Sequence, residues 1–377
     1  MQYVEFGRTG IKVSRLGMGC MRLPTFQKDG RTVFDVEKGV AVIQRAYELG
    51  VNYFDTAPYY CDKQSEVITG MGIKPFRDKV YLSTKNPIEN ASGDDYEKRL
   101  ESSLKKLDTD YIDFYHFWGI SLNTFVHSIC TPDGPMDRVK RLKEQGVVKH
   151  ISFSFHDKTE NMVEIIKRGE GVFDSLLCQY NLLDRSNEAG MAFARENGLG
   201  VVVMGPVGGG RLGAPSSVIQ AMLPGKSHSS VEIALRFVFS NPHVNIALSG
   251  MENIDMVEQN AAIASNAAPL TDEEKQNVDV QTKENERLAG LYCTGCRYCM
   301  PCPQEVNIPE IFTLMNYHRV YKITDYAKEN YRQIGKVAWR KYKDAVACIE
   351  CGLCEEKCPQ KLPIRKQLKE THRTLAG

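Results

Sequence analysis

Between residues 14 and 265 the chain alternates short, almost continuously apolar runs with longer segments whose apolar positions recur every three or four residues. The apolar runs are SRLGMGC (14–20), NYFDTA (52–57), VYLSTK (80–85), YIDFYHFW (111–118), KHISFSF (149–155), SLLCQYN (175–181), GVVVMGP (200–206) and VNIALSG (244–250). Runs of this kind suit parallel strands buried on both faces. The amphipathic segments between them are clearest at 36–50, 95–107, 137–146, 161–169, 188–198 and 231–240, and several end in the glycine that commonly stops a helix. Eight such strand–helix pairs in roughly 250 residues predict an α/β chain folded as a (β/α)8 TIM barrel. An open doubly wound sheet is the alternative, but it usually has fewer strands, and no G-x-G-x-x-G opens a helix here.

In a barrel of this type the active site lies at the C-terminal strand ends. Polar residues interrupt the apolar runs at those ends: Asp55 and Tyr60 after the second, Lys85 on the third, His116 on the fourth, Ser154 on the fifth, Gln179 and Asn181 on the sixth. At the end of the first run, Gly19, Cys20, Met21 and Arg22 fall near the same face. After the seventh, GPVGGGRLG (205–213) permits close backbone approach to a pyrophosphate, with Arg211 able to add charge. The barrel is expected to span 1–268. Past it, PLTDEEKQNVDVQ reads as a helix with Thr271 at its N-cap and Glu274 three residues on. Residues 307–347 suit two helices joined near 322–325, so 269–377 is expected to be a small α-helical domain.

That tail changes the picture most. Eight of the twelve cysteines lie in it, as Cys293, Cys296, Cys299 and Cys302, then Cys348, Cys351, Cys354 and Cys358. The second run is C-x2-C-x2-C-x3-C-P, which wraps three thiolates around one cubane and sends the fourth to the other cluster. The first run is one residue shorter before its final Cys-Pro and can do the same. Structural zinc is the competing reading, but it ordinarily uses two separated C-x2-C pairs. A disulfide framework fits poorly with an N-terminus, MQYVEFGRTG, that lacks the pattern of a signal peptide. Two [4Fe-4S] clusters in a reducing cytoplasm are therefore expected. Lys+Arg 48 against Asp+Glu 47 gives a net charge of +1, which points to no nucleic-acid partner. No apolar run approaches a membrane span.

FDTAPYY (54–60), LSTK (82–85), FYH (114–116), SFS (152–154) and QYN (179–181) resemble the aldo-keto reductases, in order along five strands. The tail resembles the ferredoxin-like appendage of a bacterial and archaeal branch of that family. The resemblance implies a catalytic tetrad of Asp55, Tyr60, Lys85 and His116. In it Tyr60 protonates a carbonyl oxygen, Lys85 eases that proton transfer, Asp55 holds Lys85, and a neutral His116 orients the substrate. Tyr59 is the competing proton donor. Cys20 and Cys61 read as site-lining thiols, and His127, His150 and His156 as surface or supporting groups.

The resemblance also implies a nicotinamide site that includes Ser154 and Gln179. Phe155 follows Ser154 where relatives usually have an Asn, and Met204 stands where many place a stacking aromatic. In GMENIDMVEQN (250–260), Gly250, Glu252 and Asn260 fall where NADPH-dependent relatives often carry a cation. Glu252 suits a ribose diol and repels a 2′-phosphate, so NAD(P)H is expected, with NADH favoured. The expected function is an iron-sulfur oxidoreductase of aldo-keto reductase type acting on a small carbonyl or alcohol, its clusters relaying electrons. Because hydride carries two electrons together, the alternative is a flavin-linked module, with FMN splitting the pair, or an electron-transfer module. In that module the clusters serve a redox protein partner or a stabilising role.

Overall fold

The computed structural model describes residues 1–28, 31–210, 212–213, 215–223, 229–266, 268–290, 293, 299–337, 342–358 and 361–377, with side chains for all of these except 31–32 and 286–290. Eight parallel strands close into a barrel. They are β1 (Leu16–Gly19), β2 (Tyr53–Asp55), β3 (Tyr81–Pro87), β4 (Ile112–Ile120), β5 (Val148–Phe155), β6 (Ser175–Gln179), β7 (Gly200–Met204) and β8 (Ile246–Gly250). Each pairs with its neighbour in sequence, and β8 closes on β1 through Gly250 opposite Gly19. All eight overlap the apolar runs read from the sequence.

Alternation along β4 shows how the barrel is filled. Tyr115 and Phe117 pack against Tyr96 of the helix Gly93–Leu107, so they face outward. Phe114 packs with Phe6 and Tyr53 in the interior. The period of two then turns His116 and Trp118 inward as well, above Phe114. The helix itself buries Tyr96, Leu100, Ser103 and Leu107, one stripe of its surface, and starts at Ser92, whose hydroxyl accepts from the Asp95 N–H.

A hairpin that the apolar pattern did not announce, Tyr3–Glu5 with Lys12–Ser14, carries Phe6 to the N-terminal end of the barrel. There Phe6 meets Phe114 and Tyr53 edge-on at centroid distances of 5.1 and 6.0 Å. Gly200 makes room for it, since a Cβ there would lie 2.4 Å from the Phe6 ring. This end is plugged with aromatic side chains, which leaves the C-terminal end for chemistry. A second hairpin, Thr25–Lys28 with Arg31–Phe34, follows β1.

The chain divides into two compact units, Met1–Gly209 with Ala234–Pro269, and Gly210–Ile233 with Leu270–Gly377. A simple split at 268 thus leaves out one exchange, because residues 210–233 pack with the tail. The buried Ser216 hydroxyl donates to the Tyr321 carbonyl at 2.7 Å, which ties that segment there. The tail is helical. Asp272–Gly290 opens with the expected reciprocal cap, Thr271 N to Glu274 at 2.8 Å and Glu274 N to Thr271 at 3.1 Å. Ile308–Arg319 and Thr324–Arg332 are the two expected helices, and Ile364–Leu375 packs on both. Their shared core includes Ile311, Phe312, Met315, Tyr331, Leu368 and the buried Cys358. No helix among the described residues is long and apolar enough to cross a membrane.

Candidate active site

Asp55, Lys85 and His116 converge from β2, β3 and β4 because each occupies an inward register position one strand from the next. Lys85 is paired with His116 across β3 and β4, and Asp55 with Ser83 across β2 and β3. Lys85 Nζ donates to Asp55 Oδ1 at 2.5 Å and to the Thr56 carbonyl at 2.8 Å, while Ser83 Oγ donates to Asp55 Oδ2 at 2.7 Å. Burial pulls the Lys85 pKa down, but Asp55 and Tyr60 together outweigh it, and the net shift is upward. Lys85 is a fixed cation.

Tyr60 follows β2 and lies beside Lys85, whose Nζ is 4.9 Å from its ring centroid. The sequence argument expects Lys85 to ease ionisation of this phenol. Lys85 does pull in that direction, but burial is the larger effect and the phenol ends above its ordinary pKa. Its proton is therefore in place throughout the physiological range. His116 is fully buried, and burial followed by the Lys85 charge pushes its pKa down to about 3, so the imidazole is neutral. Neither ring nitrogen has a hydrogen-bond partner of good geometry.

Tyr59 points elsewhere. It is exposed, donates to Glu89 at 2.6 Å and accepts from Arg99 at 3.3 Å, and the bond to Glu89 raises its pKa. The backbone after Tyr60 is unusual: Cys61, Asp62 and Lys63 all have positive φ, at 52°, 49° and 70°. Conformations of this kind cost non-glycine residues on the order of 1–3 kcal/mol each and persist only where surroundings enforce them. Cys61 Sγ, buried against the Met21 and Cys20 carbonyls at 3.4 and 3.5 Å, is one such tether. Burial raises the Cys61 thiol to about 11 and Cys20 to about 12, which leaves both as unreactive thiols.

Sequence reasoning missed Trp118 at the mouth and read His156 as a surface or supporting group. Trp118 meets Tyr60 edge-on at 5.6 Å and Tyr59 at 5.5 Å. The signal was available, since Trp118 lies two residues beyond His116 and so shares its inward face. His156, just past β5, is exposed, with its ring beside Gly119 near the end of β4. Its pKa is lowered, by the surrounding protein first and the Lys85 charge second.

Ser154, Gln179 and Met204 end or nearly end the adjacent strands β5, β6 and β7. Ser154 Oγ accepts from the Gly119 N–H at 2.7 Å and keeps its own proton to donate. Gly205 has φ +63°, and a Cβ there would lie 2.8 Å from the Gln179 side-chain nitrogen, so the missing side chain creates the space Gln179 uses. A hydroxyl, a carboxamide and a thioether beside this glycine cradle fit a flat ring bearing an amide. Arg22 donates to the Gly209 carbonyl at 2.9 Å and pairs with Glu252 at 3.8 Å, passing beside Gly250. Glu252 is thus not a lone charge. Cys20 is buried behind this corner, Met21 is exposed, and Asn260 is buried with its amide donating to Ser249. Arg211 lies outside the described residues.

In the tail, one pocket is lined by Cys302 together with Cys348, Cys351 and Cys354, with Cys299 also on its wall. Cysteines of both runs thus line one pocket. Cys358 is buried in the helical core, and Cys293, Cys299, Cys302, Cys348 and Cys354 all pack against that core. Cys296 lies outside the described residues. Among the described residues, no three His, Cys, Asp or Glu side chains converge tightly enough for a single metal ion. A cubane spreads its thiolates over a wider cage, one per iron, and the donor chemistry fits it.

Comparison with known proteins agrees with both halves. Residues 15–281 match the aldo/keto reductase family, and residues 292–362 match a 4Fe-4S dicluster domain. The chain is 26% identical to an uncharacterized oxidoreductase, YqkF, of Bacillus subtilis over 76% of this chain and 98% of that protein. It is 27% identical to an NADH-specific methylglyoxal reductase of Escherichia coli, over 61% of this chain and 74% of that one. The holo form of an aldo-keto reductase from Bacillus halodurans superposes with a TM-score of 0.63 at 28% identity, covering 74% of this chain and 96% of that structure. The chain belongs to the aldo/keto reductase family and carries a C-terminal 4Fe-4S dicluster domain.

Proposed function

We propose that the barrel reduces a small aldehyde or ketone to the alcohol, or runs the reverse oxidation, with Tyr60 as the proton donor. The observation that carries this is the buried Asp55–Lys85 pair with Tyr60 beside the lysine. Ser154 and Gln179 would hold the carboxamide of a nicotinamide and Met204 its ring, with the cofactor supplying hydride when bound. Tyr60 delivers its proton to the substrate oxygen as charge develops there. Lys85, kept cationic by Asp55, stabilises the phenolate left behind. A neutral His116 can donate one ring N–H to the same oxygen without adding charge to a site that already holds Lys85. Trp118 supplies an apolar wall beside Tyr60 and excludes water.

The pairing of Glu252 with Arg22 suits a ribose diol more than a 2′-phosphate, so NADH is the preferred nucleotide. The relative named as NADH-specific and acting on methylglyoxal makes that dicarbonyl a rational first substrate. The tail thiolates hold clusters that add one-electron capacity to this two-electron chemistry, and the tail is the part that exchanges electrons with a redox protein partner. Anaerobic assay of the full chain with NADH, against methylglyoxal and simple aldehydes, tests the reading through loss of nicotinamide absorbance. No turnover with any carbonyl, and none with alcohols and the oxidised nucleotide, would sink it. Bleaching of the cluster absorbance by NADH is the expected sign that both chemistries are linked.

A further inference from the structure

We propose that the face of the C-terminal unit around Cys351 is a docking surface for a small acidic protein that carries one electron. The inference rests on the reading that the tail holds clusters, and adds where and with what the exchange occurs. The cage formed by Cys302, Cys348, Cys351 and Cys354 opens to solvent at Cys351, which is exposed, whereas Cys358 of the other set is buried. Among the described cluster cysteines, Cys351 is the exposed one, so an electron can leave or enter the unit there.

The rim of that opening is apolar. Val346 is 67% exposed, Ile349 62% and Leu353 42%. Of thirteen large hydrophobic side chains exposed among the described residues, these three and Tyr342 fall within residues 342–353. Scattered apolar side chains are ordinary on a protein surface, but a cluster of them around a redox opening marks an interaction site.

Charge selects the partner. A groove beside Cys348 and Val346 is lined by Arg365, Lys369 and Arg373 at successive four-residue steps on one face of the helix Ile364–Leu375, with Glu350 as its one carboxylate. Two of these cations are paired, Arg365 with Glu355 at 2.8 Å and Lys369 with Glu350 at 2.7 Å, so Arg373 carries the groove's net positive charge. An apolar centre with a basic flank is the surface that steers an acidic partner into brief, productive contact. In the exchange one electron leaves the reduced protein and one is gained by the oxidised carrier, with no bond made or broken.

The test uses the full chain with clusters reconstituted and an acidic ferredoxin as probe, both oxidised, titrated by calorimetry at about 20 mM and about 500 mM salt. The Lys369→Glu/Arg373→Glu variant should bind at least about tenfold more weakly at low salt, with the difference gone at high salt. Arg373→Glu alone should give part of that loss, and Ile349→Asp should weaken binding at both salt concentrations. Equal binding by all variants, or equal binding of a basic c-type cytochrome, would overturn the docking surface. Iron content and bleaching by dithionite are measured on every sample. Intact bleaching with unchanged binding rejects the docking surface alone, whereas wild-type protein without a bleachable band rejects the dicluster reading and this inference with it.

Discussion

Lys85 Nζ donates to Asp55 Oδ1 at 2.5 Å inside the barrel, where the two side chains are only 1% and 3% exposed. Neither charge is near bulk water, so each is tolerated because of the other. Removing one partner from such a pair typically costs about 3–5 kcal/mol, since the survivor is left buried and uncompensated. Lys85→Met and Asp55→Asn should each destabilise the barrel by that order in urea unfolding. The double variant should be less destabilised than the sum of the two. Strict additivity would mean that the pair is not coupled.

Tyr60 and Tyr59 are neighbours in sequence with opposite surroundings. Tyr60 faces Lys85, whereas the Tyr59 hydroxyl is engaged by Glu89 and Arg99. Tyr60→Phe should lower kcat for carbonyl reduction by about 10²–10⁴, the usual worth of a positioned general acid, and leave nucleotide affinity within a few fold. Tyr59→Phe should retain most of the activity. The reverse result would move the proton donor by one residue.

His116 offers a test by pH. Its unfolded pKa is near 6.5, and burial, then Lys85, holds it at about 3 in the fold. Between those values the unfolded chain binds the proton and the folded chain does not. The neutral imidazole therefore contributes stability that is fully present above about pH 6.5 and is lost as pH falls toward 3. Relative to His116→Gln, the wild type should lose up to about 1.4 kcal/mol per pH unit in that window. Urea midpoints of both proteins, measured in parallel from neutral to mildly acidic pH, give the difference directly. A difference independent of pH would mean that His116 is not held neutral by burial.

All eight barrel strands were legible because strands buried on both faces must be apolar along their whole length, and polar exceptions such as Lys85 and His116 stand out in them. The dicluster domain was legible because cysteine ligand spacing is local. What escaped were features set by distant contacts. The Tyr3–Glu5 hairpin is too short to show a period, and its purpose, delivering Phe6 under Tyr53 and Phe114, exists only in three dimensions. The left-handed run at Cys61–Lys63 carries no glycine to announce it. The net direction of the Tyr60 pKa depends on how deeply the ring is buried, which spacing does not encode. Residues 210–233 pack with the tail through contacts such as Ser216 with Tyr321, a link across 105 positions.

In the proposed nucleotide site, Arg22 pairs with Glu252 at 3.8 Å. The pair is half exposed, so its own contribution to stability is small, but it decides the local field. Glu252→Lys removes the carboxylate and places two cations where a 2′-phosphate would sit. The ratio of kcat/KM for NADH to that for NADPH should exceed one in the wild type and fall by tenfold or more in the variant, on the order of 1.4 kcal/mol. A wild-type preference for NADPH would mean that Arg22 is available to phosphate despite Glu252.

The cysteine sets make the sharpest prediction about the tail. Cys302 belongs to the first run in sequence but shares a pocket with Cys348, Cys351 and Cys354 of the second, Cys299 also lining it, while Cys358 is buried in the helical core. Ligation should therefore cross between the runs, as it does in two-cluster ferredoxins. Anaerobically reconstituted protein should hold about eight irons and eight sulfides per chain, for two four-iron cubanes. Cys302→Ala should damage the cluster of Cys348, Cys351 and Cys354, and Cys358→Ala the cluster bound by the first run. Because the first of these cages opens to solvent at Cys351 and the second is bounded by buried Cys358, the two losses are separable by spectroscopy and by reactivity toward an external chelator. Cys302→Ala should spare the slowly chelated iron, and Cys358→Ala the rapidly chelated iron. If each substitution instead removes the cluster of its own run, ligation is uncrossed and the shared pocket is not a cluster cage.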